Sequence, residues 1–68
     1  MTPSERVEAG IRETLRKMRT GQALPPVREL AEQYGVSTAT VNKAIKRLRE
    51  SGEVQSRPGW GVFKAERK

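Results

Sequence analysis

At 68 residues the chain has room for one domain, and a domain this short buries only about 60% of the surface its unfolded form exposes. It has no cysteine and no histidine, which removes disulfides, thiolate metal sites, the commonest zinc ligand and the commonest general base. Fourteen Lys and Arg against eight Asp and Glu leave a net charge of +6, which favours a polyanionic partner: nucleic acid, an anionic membrane or an acidic protein surface.

The chain contains no repeat, low-complexity tract or internal linker, and no apolar run of membrane-spanning or signal-peptide length. Residues 2 to about 19 predict a first helix. Thr2-Pro3-Ser4-Glu5 supplies an N-cap, a proline suited to the first helical position and a glutamate three residues after the cap. Val7, Ile11, Leu15 and Met18 form one apolar stripe, interrupted by Gly10, which costs about 1 kcal/mol relative to alanine. Arg16, Lys17 and Arg19 suit the negative end of the helix dipole, and Gly21 is the expected stop.

Leu24-Pro25-Pro26 reads as an extended connector, because each proline disfavours helix in the residue before it. A short second helix is expected from about Pro26 or Val27 to Tyr34, with Val27, Leu30, Ala31 and Tyr34 on one face and Gly35 at its end. Ser37 caps a third helix that runs to about Ser51, with Gly52 as its stop and Val41, Ala44, Ile45 and Leu48 as its buried stripe. Val54 to Arg57 and Gly61 to Lys64 read as two short strands joined by Pro58-Gly59-Trp60-Gly61. The expected fold class is mainly α with a small β-hairpin: three helices plus a wing, a winged helix-turn-helix.

The second and third helices, joined by Tyr34-Gly35-Val36-Ser37, form the helix-turn-helix element. At 100° per residue, Thr38, Ala39, Asn42, Lys43 and Lys46 fall on or near the face opposite the apolar stripe. From Ser37 to Arg49 there are four basic residues and no acidic one. Short or amide side chains at such a helix's N-terminal end suit base edges, and flanking cations suit phosphates. The expected phosphate contacts are Arg28, Lys43, Lys46, Arg47 and Arg57. The hairpin tip adds Gly59, where the backbone can approach a groove closely, and Trp60. For Trp60 two readings stand: stacking on sugar or base edges, or packing back onto the domain.

The spacings Gly21-x-x-Leu24-Pro25-x-x-Arg28-Glu29-Leu30-Ala31, Gly35-Val36-Ser37-x-x-Thr40-Val41-x-x-Ala44-Ile45-x-x-Leu48, Gly52 and Gly59-x-Gly61 closely resemble the GntR-type winged-helix DNA-binding domain. The resemblance runs from Gly21 to about Phe63. It implies that Arg28 contacts DNA, that Ser37 and Thr40 contact phosphates or bases, and that Gly59 approaches the minor groove. Two departures stand out. Thr38 and Asn42 replace frequent arginines, and Asn42 suits adenine rather than guanine. Pro26 replaces the usual serine before the second helix.

These residues lead to the expectation of sequence-specific binding to double-stranded DNA by a transcriptional regulator, a repressor, located in the cytoplasm and on the bacterial nucleoid by function. No catalysis and no cofactor are expected: Ser37 has no histidine partner, and no carboxylate pair sits at catalytic spacing. The alternatives are a protein-interaction winged helix and a non-specific nucleic-acid binder. Residues 1–68 are expected to form one domain, with 66–68 a frayed tail or the start of a linker. The domain is expected to be monomeric alone and to bind as two copies on a palindromic operator. An effector ligand is expected only if the parent protein has a C-terminal domain, as relatives of this type usually do; the chain is expected to be either an excised DNA-binding domain or a naturally minimal protein.

Overall fold

The computed structural model describes residues 2–65; the expectation for 66–68 lies outside them. The elements follow one another as α1 (Pro3–Lys17), α2 (Val27–Tyr34), α3 (Thr38–Glu50), β1 (Val54–Arg57) and β2 (Gly61–Lys64). The winged helix-turn-helix expected from the sequence is the observed fold.

Helix α1 starts on a complete capping box. Thr2 Oγ1 accepts from the Glu5 N–H at 3.2 Å, and Glu5 Oε1 accepts from the Thr2 N–H at 3.1 Å. The bond from the Thr2 backbone is the main cause holding the Glu5 carboxyl below its ordinary pKa. The helix ends at Lys17, about two residues earlier than the stripe predicts, because the chain turns extended at Met18 and is then drawn onto the wing. The Gly21 N–H donates to the Lys64 carbonyl at 2.8 Å, the Lys64 N–H to the Gln22 carbonyl at 2.9 Å, and the Leu24 N–H to the Val62 carbonyl at 2.8 Å. Ala23 thereby pairs with Phe63, so the segment leading into the Leu24-Pro25-Pro26 connector forms a third edge on the hairpin. Within the hairpin, Val54 pairs with Lys64 and Arg57 with Gly61, antiparallel.

Arg16 and Lys17 lie in the last turn of α1, at the negative end of the dipole as expected. Lys64 adds a further cation there, its Nζ donating to the Leu15 and Met18 oxygens at 2.6 Å each. Wing and first helix are thus joined at one charged group.

The core lies where α1 and α2 pack on α3 and β1 closes the end. Val7, Ile11 and Leu15 meet Leu30, Ala31, Val41, Ala44, Ile45 and Leu48, with Leu24 and Val54 sealing the sides. Leu48 is fully buried, and a leucine-to-alanine truncation at such a site costs about 2–5 kcal/mol. That core fixes how α3 is held.

Candidate nucleic-acid interface

The turn before α3 is built from backbone bonds. Gly35 adopts a left-handed φ of 67°, its N–H reaches the Glu32 carbonyl at 3.3 Å, and the Val36 N–H reaches the Ala31 carbonyl at 3.0 Å. Those two bonds satisfy carbonyls that α2 would otherwise leave open, and glycine takes this φ without a Cβ penalty. Val36 packs against the core, and Ser37 starts the next helix. At the opposite end, Pro26 leaves α2 without a side-chain N-cap, the local consequence of its replacing the usual serine.

Helix α3 divides as its spacing requires. Val41, Ala44 and Leu48 are fully buried and Ile45 nearly so, whereas Thr38, Ala39, Asn42, Lys43, Lys46 and Arg47 are exposed. Ser37 Oγ accepts from the Thr40 N–H at 3.2 Å and lies 3.0 Å from Thr40 Oγ1. The hydroxyl pair carries two protons and uses one between the two oxygens, so one O–H remains to donate to an acceptor such as a phosphate oxygen. Arg28 stands exposed in the first turn of α2.

Arg47 differs from the other cations of the helix. Its Nε lies 2.8 Å from Glu8 Oε1 of α1, an ion-pair contact whose N–H direction misses hydrogen-bond alignment. Glu8 is buried and its other oxygen pairs with Arg12 at 3.0 Å; Arg12 in turn bonds both Glu53 oxygens at 3.0 and 3.1 Å. The Glu53 bond is the leading cause of a raised Arg12 pKa. This chain of charges locks α1 to α3 and to the start of the wing. Sequence spacing identified Arg47 as a cation but gave no signal of the carboxylate opposite it.

The wing tip is a type II turn. Pro58 occupies its second position, Gly59 its third with φ 78°, and the Trp60 N–H closes it on the Arg57 carbonyl at 2.9 Å. Trp60 is 79% exposed and does not pack back onto the domain. Arg57 and Gly59 are exposed beside it. A buried inner side of the hairpin and a bare tip leave the tip free for a partner.

The model of bacterial regulatory proteins of the gntR family matches residues 3–63. The chain belongs to the gntR family of bacterial regulatory proteins.

Its relatives include the HTH-type transcriptional regulator YjiR of Escherichia coli (strain K12), 37% identical over 65 residues, which are 96% of this chain and 13% of YjiR. The HTH-type transcriptional regulator Mce2R of Mycobacterium tuberculosis is 49% identical over 43 residues, 63% of this chain and 18% of Mce2R. This gntR-family chain therefore spans only a small part of the length of these relatives. Among solved structures, the DNA-binding domain of AraR in complex with operator ORE1 superposes with a TM-score of 0.92 at 33% identity, over 96% of this chain and 82% of that one. PhnF from Mycobacterium smegmatis superposes with a TM-score of 0.84 at 37% identity, over 91% of this chain and 27% of PhnF. The fold of the gntR-family chain is thus that of a DNA-binding domain in this family. No helix among its described residues is long and apolar enough to cross a membrane.

Proposed function

We propose that this domain binds double-stranded operator DNA sequence-specifically and acts as the DNA-reading part of a transcriptional regulator, a repressor working in the cytoplasm. The observation that carries the reading is the split of α3: a helix fixed on one side by a closed core presents Thr38, Asn42, Lys43 and Lys46 to solvent, with no acidic residue from Ser37 to Arg49. Asn42 and Thr38 read base edges in the major groove, while Lys43 and Lys46 contact phosphates. Ser37, Thr40 and Arg28 add contacts at the margin of the groove. Arg47 joins them to the extent that it leaves Glu8, and Arg57, Gly59 and Trp60 serve a second contact at the minor groove. The similarity to the AraR DNA-binding domain, whose structure is a complex with operator ORE1, supports the reading as an operator-binding domain. The domain works by binding; the Ser37 hydroxyl is engaged as a helix cap, and the chain supplies no histidine or cysteine for catalysis.

The test is selection of a duplex from a randomised pool, followed by paired titrations. Asn42→Ala is expected to cost about 1–3 kcal/mol on the selected duplex and little on random DNA. Lys46→Ala is expected to weaken both alike. Equal losses on both DNAs for Asn42→Ala would remove it as a reading residue, and failure to enrich any sequence would overturn sequence-specific binding.

A further inference from the structure

We propose that Trp60 is an apolar wedge: its indole enters the minor groove next to the site read by α3 and partly opens a base step there, so that the domain bends the duplex it binds. The proposal rests on the DNA-binding reading above and deepens it.

The first ground is exposure. Trp60 is the one large hydrophobic side chain that stands exposed among the described residues. A tryptophan brings some 150–250 Å² of surface to a contact, and leaving it in water forgoes that gain. The core does not use it; Val54 and Val62 supply the hairpin's inward contacts.

The second is stiffness. Pro58 presets the first bend of the tip, Gly59 supplies the positive φ, and the 2.9 Å bond from the Trp60 N–H to Arg57 closes the turn. The indole therefore has only its two side-chain torsions to lose on binding.

The third is what surrounds it. The segment from Val54 to Lys64 holds two cations and no carboxylate. Bare glycines flank Trp60, and a Cβ at either would meet nothing within 4 Å. A single exposed ring beside Arg57 and naked backbone, with the half-buried Phe63 lining the cleft at its base, matches a groove with apolar sugar walls and base steps between rims of phosphate. A protein pocket would be matched better by an apolar patch of several side chains. The major groove accommodates α3, and a hairpin tip one side chain wide suits the narrower minor groove, about 6 Å across. Apolar wedges in that groove unstack base steps and kink the duplex, most readily at TA and CA/TG steps.

Trp60 is the chain's single tryptophan, so its emission reports on the tip alone. A dye-labelled duplex enriched from a randomised pool is titrated with the domain while duplex anisotropy and tryptophan emission are followed together, and a second duplex labelled at both ends reports the bend by energy transfer. Trp60 emission is expected to be quenched in step with the anisotropy, and acrylamide is expected to lose access to the ring. Trp60→Ala is expected to lose about tenfold in affinity and to abolish the bend, with an unchanged melting curve. Trp60→Phe is expected to retain most of both, and Trp60→Arg to recover affinity without the bend. A rise in anisotropy with unaltered emission and acrylamide access would overturn the wedge and leave the DNA-binding reading in place. So would a Trp60→Ala variant that binds and bends like the parent. No anisotropy change on any enriched duplex would overturn both.

Discussion

Gly10 of α1 lies against the ring of Tyr34, the last residue of α2: a Cβ placed on Gly10 would stand 2.6 Å from Tyr34 Oη and 2.7 Å from its Cε1. A glycine inside a helix costs about 1 kcal/mol against alanine, and here it makes room for a side chain that packs against the core. The two effects can be separated. In the parent background, Gly10→Ala should gain little or lose stability, because the ring must move. In a Tyr34→Ala background the same change should stabilise by up to about 1 kcal/mol. Urea unfolding of the four variants gives the coupling; identical effects in both backgrounds would show that the glycine has another role.

The ion pair between Arg47 and Glu8 limits how many cations α3 offers to DNA. With Arg47 held, Arg28, Lys43, Lys46 and Arg57 remain, and four phosphate contacts at about −0.9 each give a log–log salt slope near −3.6 for one domain. Glu8→Gln removes the opposing charge. It should steepen the slope by up to about 0.9 and tighten binding at low salt. It should also lower stability, by about 1–2 kcal/mol once the exposure of both arginines is allowed for. A slope unchanged by Glu8→Gln would mean that Arg47 contacts phosphate in the parent as well, or never does.

Gly59 can be tested without confusing charge and backbone strain. Its φ of 78° is one that asparagine and aspartate tolerate better than other side chains. Gly59→Asn and Gly59→Asp should fold alike, as judged by circular dichroism. If the tip meets DNA, Gly59→Asp should bind on the order of tenfold more weakly than Gly59→Asn, a difference of about 1.4 kcal/mol. Equal affinities at low salt would place the tip away from the phosphates.

The domain should be monomeric by itself. A stable dimer interface needs roughly 800 Å² per partner, and the apolar stripes of all three helices are buried within one core. Analytical ultracentrifugation at tens of micromolar should show one species of monomer mass, and a duplex with two half-sites should take up two copies. A dimer without DNA at low micromolar concentration would contradict this and point to a surface outside the core stripes.

Much of this fold is written in short-range pattern. The capping box of Thr2 and Glu5, the end of α2 at Gly35, the Ser37 cap and the stripe of Val41, Ala44, Ile45 and Leu48 each depend on residues within about four positions of one another. Both wing strands fall where the sequence places them, on either side of the Pro58–Gly61 turn. The exposed face of α3, with Asn42 and Lys46, follows from the same periodicity once its opposite face is known to be buried. The sequence by itself therefore determined the order and type of the elements and the side of α3 that is free.

Tertiary structure alone decided the rest. Lys64 reaches the end of α1 across 49 positions, and Arg12 reaches Glu53 across 41. Periodicity cannot register contacts at such separations, because it says which face is apolar and not what arrives opposite a charge. The same holds for Gly21–Leu24, a segment whose hydrogen-bond partners on β2 exist only after the hairpin has folded against it. Arg47 could not be told from Lys46 until α1 had brought Glu8 beside it. Trp60 left two readings open in the sequence. The turn at Pro58 and Gly59 turns it away from a core already filled by Val54 and Val62, and that placement makes it available to a partner.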